Sequence, residues 1–314
     1  MARRRVKKRK VKKALYIVCE GKNTEPIYFK GLIERQELDK SSYAYQVVVY
    51  DTPKTNPLGL IQVARDLLIQ EDDEAWVVYD KDGYTKHDLA FELAKETPKI
   101  NIAFSSVAFE HWVLLHFERS EKSYIKSKNV IEHLRNRGYL KNYSKKNGYH
   151  LYPHLEKRTH IAIENAAWLR HHMYFSLQEA KGRYFEVNPY TTVDRLVGKL
   201  LNIQEKVIWV NAKEDIHTNN LLMTVSNAEQ TGAALIVTLD ITNKKPAGFI
   251  FNQSEDEIYI RDKHYRKIYP ENTDKILIEK QDTHIQIYIF ELSGKPEKYR
   301  FCIEIEKTKC IVQL

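Results

Sequence analysis

Two apolar runs that end in acid, about sixty residues apart, constrain this chain most. The first is Leu15-Tyr16-Ile17-Val18-Cys19-Glu20-Gly21 and the second is Trp76-Val77-Val78-Tyr79-Asp80-Lys81-Asp82. When helices alternate with such runs, they pair as parallel strands whose carboxyl edge gathers the residue that ends each strand. Glu20, Asp80 and Asp82 at one edge would repel one another unless a hard cation lay between them. Mg²⁺ or Mn²⁺ held by a few carboxylates, with water completing the shell, is the usual equipment of phosphoryl chemistry. The expectation is a metal-dependent enzyme acting on nucleic-acid phosphodiesters. Taken singly, the same acids also read as strand ends and helix caps.

The first hundred residues alternate strand and helix. Strands are predicted at Ala14 to Cys19, Gln46 to Tyr50, Ala75 to Tyr79 and Ile100 to Phe104. Thr24 with Glu25 and Pro26, and Asn56 with Pro57, mark helix starts, because proline's missing N–H costs nothing in the first turn. A third helix is predicted over Lys86 to Glu96. Right-handed crossovers then favour a parallel sheet covered on both faces. Residues 109 to 201 read as mainly helical, with helices over Phe109 to Phe117, Ile161 to Ala180 and Thr192 to Leu201. Lys141 to Tyr152, rich in Asn, Gly, Lys and Tyr, reads as an exposed loop.

Beyond Asn202 the pattern changes to nine short strand candidates. They are Val207–Val210, Leu221–Val225, Ala234–Leu239, Gly248–Phe251, Glu257–Ile260, Ile276–Ile278, Ile285–Phe290, Tyr299–Ile305 and Cys310–Leu314. Their spacing suits a sandwich or barrel. The expected organisation is a basic tail over 1–13, an α/β domain with a helical extension over 14–202, and an all-β domain over 203–314.

The net charge of +8 is concentrated in the tail. Arg3, Arg4, Arg5, Lys7, Lys8, Arg9, Lys10, Lys12 and Lys13 are nine of the 50 basic residues, so 41 remain against 42 acidic ones. A block of this kind repels itself when free and can bind phosphates by counterion release, or serve as a solubility arm. No apolar run reaches the eighteen residues of a membrane span. The apolar stretch after the tail is too short for a secretory signal, and three cysteines make no disulfide framework. A reduced, cytoplasmic protein is expected.

Several patches together resemble the RloB / AbiLii-like family of TOPRIM-fold bacterial proteins. They are Val18-Cys19-Glu20-Gly21-Lys22-Asn23-Thr24-Glu25-Pro26 with Tyr28-Phe29, and Tyr79-Asp80-Lys81-Asp82. Phe109-Glu110-His111-Trp112 running into Leu115-His116-Phe117, and Asn188-Pro189-Tyr190-Thr191-Thr192-Val193, complete the set. The chain departs from the family at Ser105-Ser106-Val107-Ala108, where a proline-containing turn is usual. Many members also end near the last patch, so the resemblance says nothing about the β domain.

The resemblance implies a TOPRIM site in which Asp80 and Asp82 hold Mg²⁺ or Mn²⁺. Glu20 would share the metal or serve as general acid or base. Glu110 would contribute to a second metal or orient a ligand, or else be a helix-start carboxylate. Lys22 could touch a phosphate. The implied role is nucleic-acid cleavage in defence against phage by abortive infection. An ABC-type ATPase partner, and assembly into a homo-oligomer, are compatible with it. Two rivals remain open: a primase-like nucleotidyltransferase, and a non-catalytic module that binds nucleic acid or an ATPase. Thr24 and Glu25 read most simply as helix-start residues, His116 as a core histidine, Asp51 as a loop residue, and the tyrosines between 139 and 190 as packing residues. The histidines from His150 to His172 match no zinc motif.

Overall fold

The structure is a computed structural model of the chain. It describes residues 13–36, 45–54, 56–81, 83–145, 149–203, 206–218, 220–231, 234–244, 249–251, 257–261, 266–271, 276–279, 282–292, 299–305 and 308–314. The chain divides into two compact units, Met1–Ile203 and Gln204–Leu314.

In the first unit, β1 (Lys13–Glu20), α1 (Thr24–Arg35), β2 (Tyr45–Thr52), α2 (Pro57–Leu67), β3 (Glu74–Asp80), α3 (His87–Lys95) and β4 (Ile100–Ser106) alternate. The four strands are parallel in the order β2-β1-β3-β4. A short strand, β5 (Tyr190–Thr191), runs antiparallel beside β4. Each strand extends the range read from the sequence by one or two residues at an end, so Glu20 and Asp80 themselves close β1 and β3. Lys13, expected in the tail, opens β1 instead. The rest of the tail lies outside the described residues.

Buried side chains explain the layering. Val18, Val77, Tyr79 and Phe104 share one core cluster with Leu60, Ile61 and Ala64 of α2 and Ala90 and Ala94 of α3. The opposite face receives α1, whose Tyr28 and Phe29 meet Phe109 at ring-centroid distances of 5.2 and 6.2 Å. Burying each such ring contributes roughly 2–3 kcal/mol. The connection out of β1 leads to β2 on one side, while β3 pairs with β1 on the other. The carboxyl ends of β1 and β3 therefore flank the point where strand order reverses, which is where open α/β sheets leave a crevice.

The helical extension holds α4 (Phe109–Leu115), α5 (Ser127–Asn136), α6 (Tyr152–Leu155), α7 (Thr159–His172), α8 (Tyr174–Glu179) and α9 (Val193–Leu200). The single helix expected over Ile161 to Ala180 breaks at Met173 into α7 and α8. The Lys141 to Tyr152 segment is only partly exposed among its described residues, with Lys141, Asn142 and His150 at the surface. Tyr143, Leu151 and Tyr152 are buried, because Tyr143 finds a carboxylate for its hydroxyl and Tyr152 packs 5.4 Å from Tyr28. The Asn56 cap forms as expected, its side chain accepting from the Gly59 N–H at 2.8 Å. The cap of α1 is Asn23 rather than Thr24, and its side chain makes no capping bond.

The second unit is all β. It comprises β6 (Lys206–Asn211), β7 (Asp215–His217), β8 (Leu221–Thr231), β9 (Ala234–Asn243), β10 (Phe249–Phe251), β11 (Glu257–Arg261), β12 (Lys267–Ile268), β13 (Ile276–Ile278), β14 (Thr283–Glu291), β15 (Arg300–Ile305) and β16 (Thr308–Gln313). One sheet has the order β12-β11-β15-β16-β6 and another the order β14-β9-β8-β7, with β10 and β13 as a separate pair. Leu235, Val237, Leu239 and Ile241 of β9 and Phe301 and Ile303 of β15 enter one buried cluster, so the two larger sheets share a core. All nine strand candidates are strands; β7 and β12, two or three residues long, gave no readable period. No helix among the described residues is long and apolar enough to cross a membrane.

Candidate active site

The residues at the switch point are brought together by one tight turn. β1 ends at Glu20, and Gly21 follows with a φ of 67°, a left-handed conformation that glycine adopts without a Cβ penalty. The chain turns back into α1 at once, which places Glu25 in the first helical turn. Glu20, Gly21, Lys22, Asn23, Thr24, Glu25, Asp80 and Lys145 line a cavity of about 200 Å³. The Tyr84 hydroxyl, from the loop after β3, donates to Glu20 Oε1 at 3.0 Å.

Glu110, in the first turn of α4, is wholly buried beside this cavity. Its Oε1 accepts the Tyr143 hydroxyl at 2.7 Å, and its Oε2 lies 3.1 Å from Lys145 Nζ. Asp80 and Glu25 are each only 8% exposed. Burial, and then the charge of Glu110, push Glu25 up to about 7, against the pull of its own helix backbone and Lys145. Burial also raises Asp80 well above the usual carboxylate range, with Glu25, Glu110 and Glu20 adding to it and Lys145 opposing. Burial alone would lower Lys145, but Glu110, Asp80 and Glu25 outweigh it and hold the ammonium charged.

The pocket thus holds more carboxyl groups than cationic ones, and Asp80 Oδ1 is buried with no hydrogen-bond partner among the described residues. Its donors are hard oxygens, which suit Mg²⁺ or Mn²⁺. Among the described residues no three His, Cys, Asp or Glu groups stand close enough to ligate one ion jointly. An ion held here would take one or two carboxylates and keep several waters, which is how Mg²⁺ is usually bound. The residues present fit that ion.

Of the residues singled out in the sequence, Glu20 and Asp80 share the cavity, Glu110 joins it through Lys145, and Lys22 stands exposed at its rim. Asp82 and the cations Arg3, Arg4, Arg5, Lys7, Lys8, Arg9, Lys10 and Lys12 lie outside the described residues. Lys13 opens the strand that Glu20 closes, so it stands roughly 20 Å from the site, at the far edge of the sheet. Asp51 pairs with Lys30 at 2.9 Å and plays no part in the pocket. His116 Nδ1 donates to the Trp112 carbonyl oxygen at 3.0 Å, and burial depresses it to about 3, a core histidine as expected. His111, next to Glu110, is likewise depressed by burial, to about 4.

Sequence reasoning missed Glu25, Lys145 and Tyr84. For Glu25 a signal existed: it follows Glu20 by five residues, across a glycine, in the first turn of a helix. Lys145 had none, since tertiary packing of a remote segment alone brings it to the pocket.

A family model for RloB-like protein matches residues 15–200. No curated protein matches the chain. Among solved structures, the yjhA protein of Bacillus subtilis is 11% identical at a TM-score of 0.29, covering 33% of this chain and 98% of its own. The putative lipoprotein ycdA of Bacillus subtilis is 8% identical at a TM-score of 0.23, covering 29% of this chain and 33% of its own. The alkylpurine DNA glycosylase AlkC of Pseudomonas fluorescens, bound to DNA containing an abasic site analog, is 9% identical at a TM-score of 0.18, covering 82% of this chain and 65% of its own. Likenesses this distant carry no argument. The family match spans more than half of the chain and includes every described residue of the carboxylate pocket, and on that ground the chain belongs to the RloB-like family.

Proposed function

We propose that this chain is a Mg²⁺- or Mn²⁺-dependent nuclease with a TOPRIM-type site, cleaving nucleic-acid phosphodiesters in bacterial defence against phage. The observation that carries the reading is that Glu20, Glu25 and Asp80 line one cavity at the switch point, with a buried Asp80 oxygen that has no hydrogen-bond partner among the described residues. Asp80 and Glu20 are the residues to hold the ion, with Asp82, two positions after Asp80 in the sequence, as a further candidate ligand. When bound, a divalent ion would polarise the scissile phosphate and offset charge on the leaving oxygen.

The chain's own residues supply the rest. Tyr84 fixes the orientation of Glu20 through its hydroxyl. Glu25, whose proton affinity lies near neutrality, is suited to accept a proton from attacking water and return it to the leaving oxygen. The resemblance gave that role to Glu20; the perturbed environment favours Glu25. Lys22 at the rim meets a flanking phosphate, and the basic residues from Arg3 to Lys12 assist capture of the backbone. An ABC-type ATPase is the partner that the family association suggests.

Cleavage of plasmid, single-stranded DNA and tRNA, with and without Mn²⁺, tests the reading. Asp80→Asn is expected to lower the rate at least about 10²–10³-fold, the scale at which loss of a transition-state charge stabiliser is felt. EDTA should abolish it. Full activity in either condition would refute the metal-dependent mechanism.

A further inference from the structure

The carboxylate pocket already contains a cation of the chain's own. Lys145 reaches it from the segment after α5, and its ammonium lies 3.1 Å from Glu110 Oε2. The other oxygen of that carboxylate accepts the Tyr143 hydroxyl at 2.7 Å. Two residues of one short segment therefore pin it onto a fully buried acid. Lys145 lines the same space as Glu20, Glu25 and Asp80, and Asp80 Oδ1 has no partner among the described residues. The space thus has a charged occupant on one side and an unsatisfied hard acceptor on the other.

Lys145 holds Glu110 rather than Asp80 or Glu20, but an ammonium and a divalent ion this close in one partly desolvated pocket repel. We propose that Lys145 is the resident counterion of the pocket and that it and a divalent metal ion occupy it alternately, the ion displacing the ammonium from Glu110. In the metal-free chain the lysine relieves the mutual repulsion of the buried acids. On metal entry it is released toward the rim, where Lys22 already stands and where a substrate phosphate would lie. The lysine therefore sets metal affinity lower than the acids alone would give. This inference rests on the reading of the pocket as a divalent-cation site.

Calorimetric titration of the full chain with Mn²⁺ reads the competition in wild type, Lys145→Gln and Asp80→Asn. Lys145→Gln should bind about tenfold more tightly or better, the order expected from removing a like charge within a few ångströms. Asp80→Asn should lose binding. Equal or weaker binding by Lys145→Gln, with wild type binding and Asp80→Asn not, overturns the competition and leaves the metal site standing. No binding by wild type and Lys145→Gln alike, or undiminished binding by Asp80→Asn, overturns both. Lys145→Gln also strips Glu110 of its counterion and can unfold the chain, so a second measurement uses wild type alone. Amine acylation read by mass spectrometry should label Lys145 several-fold faster in saturating Mn²⁺, while Lys30, paired with Asp51 at the surface, stays constant. Unchanged or slower labelling of Lys145 in the Mn²⁺-saturated chain overturns the exchange.

Discussion

At Glu25, burial and the neighbouring Glu110 set a proton affinity near 7 where an ordinary glutamate lies at 4.5. Between those values the folded chain keeps a proton that the unfolded chain has released. Stability in metal-free buffer therefore falls as pH rises from about 4.5 to about 7, and stays low above it. Asp80, raised by burial and by Glu25, acts in the same direction. Glu25→Gln should reduce that fall and raise Tm near pH 7.5 by a few degrees, at about 2–4 °C per kcal/mol for a unit of this size. Thermal melts in EDTA at about pH 5 and pH 7.5 measure it. An unaltered pH dependence in the variant would show that the charge on Glu25 costs the fold nothing. Glu25 also shows how a site residue hides in a sequence: the features that make it a helix-start acid are the ones that bring it to the cavity it shares with Asp80.

Among the elements, α7 is tied to α9 and β5 through one side chain. Arg170 Nη1 and Nη2 donate to the Asp194 carboxylate at 2.6 and 2.7 Å, and Nη1 also donates to the Thr191 carbonyl at 3.0 Å. The pair is largely buried, with side chains 19% and 6% exposed. Arg170→Met leaves a buried carboxylate uncompensated and should cost about 3–5 kcal/mol in urea unfolding, most of it recovered by the second change Asp194→Leu. A cost below about 1 kcal/mol would mean that apolar packing, not this pair, holds the helical extension to the sheet. The strands were legible because Val, Ile and Tyr runs bounded by turn residues have few alternatives. β9 shows it well, with every second residue from Leu235 to Ile241 buried. The break at Met173 was not legible, since the sequence reads as helix on both sides of it. The segment around Tyr143 looked solvated by composition, yet Tyr143 and Lys145 both hold it onto buried Glu110.

For the whole molecule, the pocket belongs entirely to the first unit, while the β unit builds its own core beyond the family match. The meeting of Glu20 and Asp80 could be read from the sequence because strand-ending acids and right-handed crossovers converge on one edge. Glu25 carried a signal in its spacing from Glu20 across Gly21, whereas Lys145 became visible only once its contact with buried Glu110 had placed it. Together these four side chains make a pocket that is over-supplied with carboxyl groups and has one of its cations contributed from a distant segment. Anomalous X-ray diffraction from crystals of the chain grown in Mn²⁺ tests the central claim most directly. A strong peak is expected within direct or single-water reach of the Asp80 and Glu20 carboxylates. A map with no peak there, or with peaks only elsewhere on the chain, would contradict it.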